Sequence, residues 1–128
     1  MPQATRPFEV KLTPQTDPNS DPALGRMILD KQFHGDLDAT SQGQMLTAGS
    51  AQGSGVYVAI EKVTGTLHGR KGTFVLHHTG IIERRGAQLT IAVAPDSGTR
   101  DLAGISGKME IAIADGKHSY TFDYLLPV

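Results

Sequence analysis

Glu61 and His78 are the two residues of this chain whose types and placement could do chemistry. Both fall in alternating stretches, and the alternation places both on the apolar, inward-facing side of a predicted β-hairpin. A carboxylate beside an imidazole can exchange a proton with a substrate or anchor a ligand at the floor of a pocket. The same two groups can instead form a buried polar pair that fixes the register of two strands.

The strands that must position this pair flank a predicted turn at Gly69-Arg70. A two-residue turn there places Glu61 directly opposite His78. The other inward pairs of this register are Leu67–Gly72, Gly65–Phe74, Val63–Leu76, Ala59–Gly80 and Tyr57–Ile82. The opposite face is mostly polar and β-branched, as a solvated face should be. Phe74 is therefore expected to cover Gly65.

Two tyrosines extend the candidate site. Tyr57 shares the inward face with Glu61, and Tyr124 lies on the inward face of the last predicted hairpin. Each hydroxyl could bind a ligand, or each ring could be a core residue whose hydroxyl finds a protein partner. The candidate ligand-binding residues are Tyr57, Glu61, His78 and Tyr124, and the candidate catalytic residues are Glu61 and His78.

Other site chemistries find little support in the sequence. The chain has no cysteine, which excludes disulfides, a thiolate nucleophile and cysteine metal sites. Its five histidines lack metal-ligand spacing, and the adjacent His77 and His78 point to opposite faces of a strand. No serine stands in a nucleophile-elbow context. His68 and His118 are interpreted as residues at hairpin ends. We expect no metal and no cofactor.

Composition bounds the class of protein. The chain has 128 residues, which predicts one domain spanning 1–128 with residues 1–6 as a frayed tail. The formal net charge of −1 gives no electrostatic argument for a nucleic-acid or membrane partner. No apolar run has transmembrane length, and the first residues lack the apolar core of a signal peptide. A cytoplasmic location is the resulting expectation.

Alternating stretches separated by turn residues predict an all-β chain. Strands are expected over residues 7–13, 24–34 and 37–47, around Leu89 to Val93, and in a final hairpin about an Asp115-Gly116 turn. The register of the 24–47 hairpin stays open, because Lys31 and Asp38 do not sort cleanly. Residues 49–55 are expected to form a mobile loop, and residues 95–107 a structured loop or a single helical turn. Consecutive hairpins favour an up-and-down antiparallel β-barrel of about eight strands over a sandwich.

Several segments resemble a known family. FHGDL at 33–37, YVAIEKVTGTLHGRKGTFVLHHTG at 57–80, SGTRDLAGISG at 97–107 and YTFDY at 120–124 are similar to a bacterial family of small proteins of unknown function, related in fold to allene oxide cyclase. The 97–107 segment is also similar to a glycine-rich loop of dirigent proteins and cyclases. The resemblance implies a small antiparallel barrel whose interior can hold a ligand. It carries no activity, because fold alone does not assign one.

Three functions are consistent with these observations. The first is a barrel that binds a small, largely apolar molecule in its interior. The second is an isomerase or cyclase that uses Glu61 and His78 as acid and base, and the third is a structural module with a filled barrel. An interior cavity of a few hundred Å³ would favour the first two. A small homo-oligomer is also expected, from fold analogy and from the outward apolar residues Ile60 and Val75.

Overall fold

The protein is a closed barrel of eight antiparallel strands in chain order. The structure, a computed structural model, describes residues 2–16, 21–50, 53–83 and 86–127. The strands are β1 (Gln3–Pro14), β2 (Leu24–Phe33), β3 (Leu37–Gly49), β4 (Gly55–Leu67), β5 (Arg70–Glu83), β6 (Gly86–Val93), β7 (Ser106–Ala114) and β8 (Lys117–Leu125). A short 3-10 helix, Arg100–Leu102, lies in the loop between β6 and β7. The predicted fold class, an all-β up-and-down barrel, is confirmed.

The first strand closes the barrel. Residues Gln3 to Phe8 pair with Asp123 to His118 of β8, so the prediction that residues 1–6 fray is wrong for the part of the tail that the structure describes. This pairing covers the otherwise exposed edges of β1 and β8 at once. The gain explains why these residues form a strand although their apolar pattern is weak. The predicted structured loop at 95–107 is confirmed up to residue 105 and contains one helical turn, while residues 106 and 107 already belong to β7.

The last hairpin has the predicted register. Asp115 and Gly116 both have positive φ, 52° and 75°, as a two-residue turn of this twist requires. Ile111 pairs with Tyr120 and Met109 with Phe122, as expected.

The β4–β5 hairpin does not have the predicted register. Its turn is His68-Gly69, with φ of 46° and 81°, so Leu67 pairs with Arg70. Every partner on β5 is therefore two residues earlier than predicted, and Glu61 pairs with Leu76 while His78 pairs with Ala59. Because side chains alternate with a period of two, this shift leaves every residue on its predicted face.

One glycine contact also changes with the register. Phe74 pairs with Val63, so the prediction that it lies directly opposite Gly65 is wrong. A different aromatic residue of this hairpin covers a different glycine. Tyr57 lies opposite Gly80, and a Cβ at Gly80 would be 2.1 Å from Cε1 of Tyr57.

The structure settles the hairpin that the sequence left open. Lys31 pairs with Ser41 and Leu29 with Gly43, which places Lys31 on the inward face, while Asp38 is exposed. The predicted mobile loop at 49–55 includes residues 51 and 52, which lie outside the described residues.

The interior has two unlike halves. The packed half, at the end where β4 turns into β5, is filled by buried side chains and is covered by Leu102 and Ile105 of the β6–β7 loop. The open half, towards the other end, consists of inward-facing side chains that are only half-buried or are exposed. They are Leu12, Met27, Met45, Tyr57, Ile82, Leu89, Ile111, Ile113 and His118.

The wall of the open half is incomplete between β6 and β7. Among the described residues only Ile91–Met109 and Ala92–Lys108 pair across these strands. The remaining length of each strand, towards Gly86 on β6 and Ala114 on β7, has no partner across this junction.

Candidate functional site

Four polar residues lie between the two halves of the barrel. Lys31, Ser41, Glu61 and His78 come from four successive strands, β2 to β5, and all four face inward. We call them the polar layer. Their exposed fractions are 7%, 2%, 0% and 3%, so water reaches almost none of their surface. Such burial of ionisable groups requires internal partners.

Glu61 is the centre of the polar layer. Its Oε1 accepts a hydrogen bond of 2.8 Å from the hydroxyl of Ser41, and its Oε2 accepts one of 2.9 Å from Nζ of Lys31. Nε2 of His78 lies 2.5 Å from the same Oε2. That distance fits an ion pair, yet the ring nitrogen is not aligned for a hydrogen bond and has no hydrogen-bond partner among the described residues. The sequence-predicted contact between Glu61 and His78 is thus present, although the two residues are diagonal neighbours.

Local backbone features make room for this cluster. Gly43 lies opposite Glu61, and a Cβ at position 43 would be 2.1 Å from the carbonyl oxygen of Ile60. Glycine therefore permits the close approach of β3 to β4 at this level. The ammonium group of Lys31 also lies 5.3 Å from the ring centre of Phe8 and 5.7 Å from that of Phe33, within cation–π range.

The charges of the layer set the ionisation of Glu61. Burial opposes the charged form, but the contact with His78 and the positive charge of Lys31 outweigh it, and the pKa of Glu61 falls to about 2. Glu61 is therefore a carboxylate at neutral pH. Burial, followed by the nearby Glu61 charge, raises the pKa of Tyr57, whose hydroxyl stays protonated.

The structure brings three of the four predicted site residues together. The ring of Tyr57 lies 6.3 Å from the ring of His78, on the open side of the polar layer. Tyr124 is elsewhere: it is buried in the packed half, 5.5 Å from the ring of Phe122, and its hydroxyl contacts Nδ1 of His68 at the β4–β5 turn. Tyr124 is therefore separated from the site, and burial raises its pKa.

Lys31 and Ser41 were missed from the sequence. Both lie on the hairpin whose register was left open, so neither could be assigned to the interior. One signal was present: Lys31 interrupts the apolar series Met27, Leu29 and Phe33, and an inward cation is the natural partner of an inward Glu61.

The cavities of a few hundred Å³ that we identify among the described residues open on the outer wall. The largest has a volume of about 550 Å³ and is lined mostly by outward-facing residues of β3, β4 and β5. None of these cavities is lined mainly by inward-facing residues; above the polar layer the inward face includes half-exposed Met45 and Tyr57 and exposed Leu89.

Metal binding and membrane helices find no support in the described ranges. Within them, no group of three His, Cys, Asp or Glu side chains is placed to hold a metal ion. The same part of the chain contains no helix long and apolar enough to cross a membrane.

Comparisons with known proteins give a family. A sequence model described as "Protein of unknown function (DUF3224)" matches residues 4–124. A crystal structure at 1.84 Å of a DUF3224 protein of unknown function from Shewanella oneidensis MR-1 is similar over 100% of this chain and 98% of that one, with 45% sequence identity and a TM-score of 0.93. Among curated proteins, none matches the chain.

Proposed function

We propose that this chain, which belongs to the DUF3224 family of proteins of unknown function, binds a small, largely apolar molecule in the open half of its barrel. The observation that carries the proposal is the contrast across the polar layer. On one side the interior is packed, and on the other side inward-facing aliphatic side chains are left in contact with solvent. Leu12, Leu89 and Ile113 are 43%, 40% and 66% exposed, although the alternation directs them inward.

Leaving these side chains exposed costs free energy that a ligand would recover. Each Å² of apolar surface removed from water is worth roughly 25 cal/mol. Met27 and Met45 add flexible thioethers that adapt to ligands of different shape. The β6–β7 junction beside this space has two paired positions among the described residues, fewer than any other junction of the wall.

The polar layer determines which kind of polar group a ligand can place against it. Both carboxylate oxygens of Glu61 already have partners, so neither is left for a donor group of a ligand. Lys31 carries three N–H donors and makes one side-chain hydrogen bond among the described residues. The layer therefore has spare donors, and the group it suits is a hydrogen-bond acceptor such as a carboxylate or carbonyl.

Binding is better supported than acid/base catalysis. An effective general acid or base has a pKa near the working pH. The pKa of Glu61 is about 2, which suits a permanent anion that holds Lys31 and His78 in place. The fold relationship to allene oxide cyclase, the enzyme alternative and the cytoplasmic location stay predictions. The open half also speaks against a barrel filled entirely by its own side chains.

Calorimetry with matched amphiphiles tests the proposal. We expect decanoate to bind at least tenfold more tightly than decylammonium, which has the same chain and a donor head group; tenfold is about 1.4 kcal/mol. Leu89→Glu should abolish decanoate binding, because it places a charge at the mouth. Leu125→Glu is the matched control: Leu125 is 48% exposed, lies at the opposite end of the barrel and should not matter.

Two results would overturn the proposal. One is that neither amphiphile binds below its micelle concentration. The other is that Leu89→Glu and Leu125→Glu have equal effects on decanoate affinity.

A further inference from the structure

The outer wall of β3, β4 and β5 carries an apolar patch. Nine outward-facing residues form three rows across these strands: Ala48–Val56–Ile81, Leu46–Val58–Thr79 and Gln44–Ile60–His77. Five of them are large aliphatic side chains with high exposure: Leu46 55%, Val56 50%, Val58 50%, Ile60 64% and Ile81 47%. The outer face of an antiparallel barrel in water is expected to be polar, so this wall departs from the rule.

The opposite wall follows the rule. The outward residues of β1 and β8 include Glu9, Lys11, Lys117 and Asp123. On the apolar patch, His77 is the one ionisable side chain of the nine. The asymmetry indicates that the patch has an occupant and the opposite wall does not.

Shape and charge favour a second copy of this chain. The patch contains the 550 Å³ groove, which is lined in part by Leu46 and Val58, and the highly exposed Ile60, which lines the same groove. A surface with a groove and a protrusion can be complementary to itself under a two-fold axis. The patch has no acidic or basic cluster that would attract a partner of opposite charge. The formal net charge of −1 lets two copies approach without strong repulsion.

The area is sufficient for a stable dimer. The five aliphatic residues expose roughly 500 Å², a size typical of functional apolar patches. Gln44, His77 and Thr79 of the same rows are also exposed and extend the face towards the roughly 800 Å² per partner of a standard interface.

We propose that two copies of the chain pack through this patch as an isologous dimer, with Val58, the central residue of the three rows, nearest the two-fold axis. The proposal does not depend on ligand binding, because the patch lies outside the barrel. It identifies the surface for the homo-oligomer that the sequence led us to expect.

Sedimentation velocity tests the association. Wild-type protein at 50 µM should sediment as a dimer. Ile60→Lys should weaken the dimer at least tenfold, while Thr13→Lys, on an exposed outward site of β1, should leave it unchanged. Both substitutions are at exposed positions, so thermal melting by circular dichroism should confirm that both variants fold.

Cross-linking tests the geometry independently. The chain has no cysteine, so Val58→Cys introduces a single thiol. Under mild oxidation it should form a covalent dimer, whereas Thr13→Cys should not. A monomeric wild-type protein, a dimer insensitive to Ile60→Lys, or equal cross-linking of the two cysteine variants would overturn the proposal.

Discussion

The two halves of the barrel are made by the same strands with the same alternation, yet one is closed and the other open. The packed half receives aromatic side chains such as Phe74 and Phe122 and is covered by the β6–β7 loop. That loop is fixed to β5 because Thr73 N–H donates to the hydroxyl of Thr99 and Val75 N–H to that of Ser97. The open half has mostly aliphatic side chains and no described segment across its mouth. The barrel is therefore packed at the end that has both large side chains and a covering loop.

The polar layer marks the boundary between these halves, and breaking it should have the largest effect. Glu61→Leu removes the partner of both Lys31 and His78 and should destabilise the fold by about 3–5 kcal/mol. Lys31→Met/Glu61→Leu removes the principal ion pair and should recover much of this loss. Urea unfolding of the wild type, both single variants and the double variant gives the coupling free energy.

If each single substitution lowered the unfolding free energy by less than about 1 kcal/mol and the two losses were additive, the Lys31–Glu61 ion pair would not stabilise the polar layer. The second substitution has to be at Lys31. Replacing Glu61 and His78 together would leave Lys31 buried without its carboxylate, so that pair should not recover stability as well.

Truncation of one side chain in each half sharpens the comparison. Leu76 is fully buried in the packed half, and Leu76→Ala should cost about 3 kcal/mol through lost burial and the cavity left behind. Ile113 is 66% exposed in the open half, and Ile113→Ala should change stability by less than about 0.5 kcal/mol. Equal losses of unfolding free energy would contradict the division into two halves.

Lowering the pH should reduce the stability that Glu61 gives to the polar layer. The pKa of Glu61 is depressed from 4.5 in the unfolded chain to about 2 when folded, so its contribution is complete above pH 4.5 and is lost as the pH falls towards 2. Between pH 7 and pH 3, wild type should lose about 2 kcal/mol more stability than Lys31→Met/Glu61→Leu, in which the other carboxylates are unchanged. Parallel pH profiles of the two proteins would refute this role for Glu61.

A modest effect on stability is expected at Gly80. An added methyl group there meets the ring of Tyr57, whose far end is half-exposed and can move. Gly80→Ala should therefore cost about 1 kcal/mol, and the cost should disappear in a Tyr57→Ser background. Thermal unfolding of the four proteins measures this. A cost that persists without the ring would show that the open half is as tightly packed as the other.

The sequence predicts the faces of these strands well and their register less well. Alternation places Glu61, His78 and Tyr57 inward, as found, because burial imposes a period of two. The same period cannot detect a shift of two residues, so turn chemistry alone fixes the pairing. Glycine takes the second turn position at His68-Gly69, as it does at Asp115-Gly116, and placing it first caused the error.

The rest of the site depended on contacts distant in the chain. Lys31 and Ser41 join Glu61 through the β2–β3 and β3–β4 registers, which a mixed polar sequence leaves ambiguous. Tyr124 was correctly predicted to face inward, but it lies in the packed half, away from the polar layer. Alternation gives a residue's face, and its height along the barrel comes only from the complete set of pairings.

The central claim, that the open half binds an apolar ligand above the polar layer, can be tested by methyl NMR of methionine. Met27 and Met45 border the open half, and Met109 is buried at 3% exposure among the packed residues. With ¹³C-methyl methionine and decanoate, we expect the Met27 and Met45 signals to shift together and saturate while Met109 stays in place. Assignment by single Met→Leu variants identifies each signal. Shifts confined to Met109, or no shift at Met27 and Met45 at saturating decanoate, would contradict the claim.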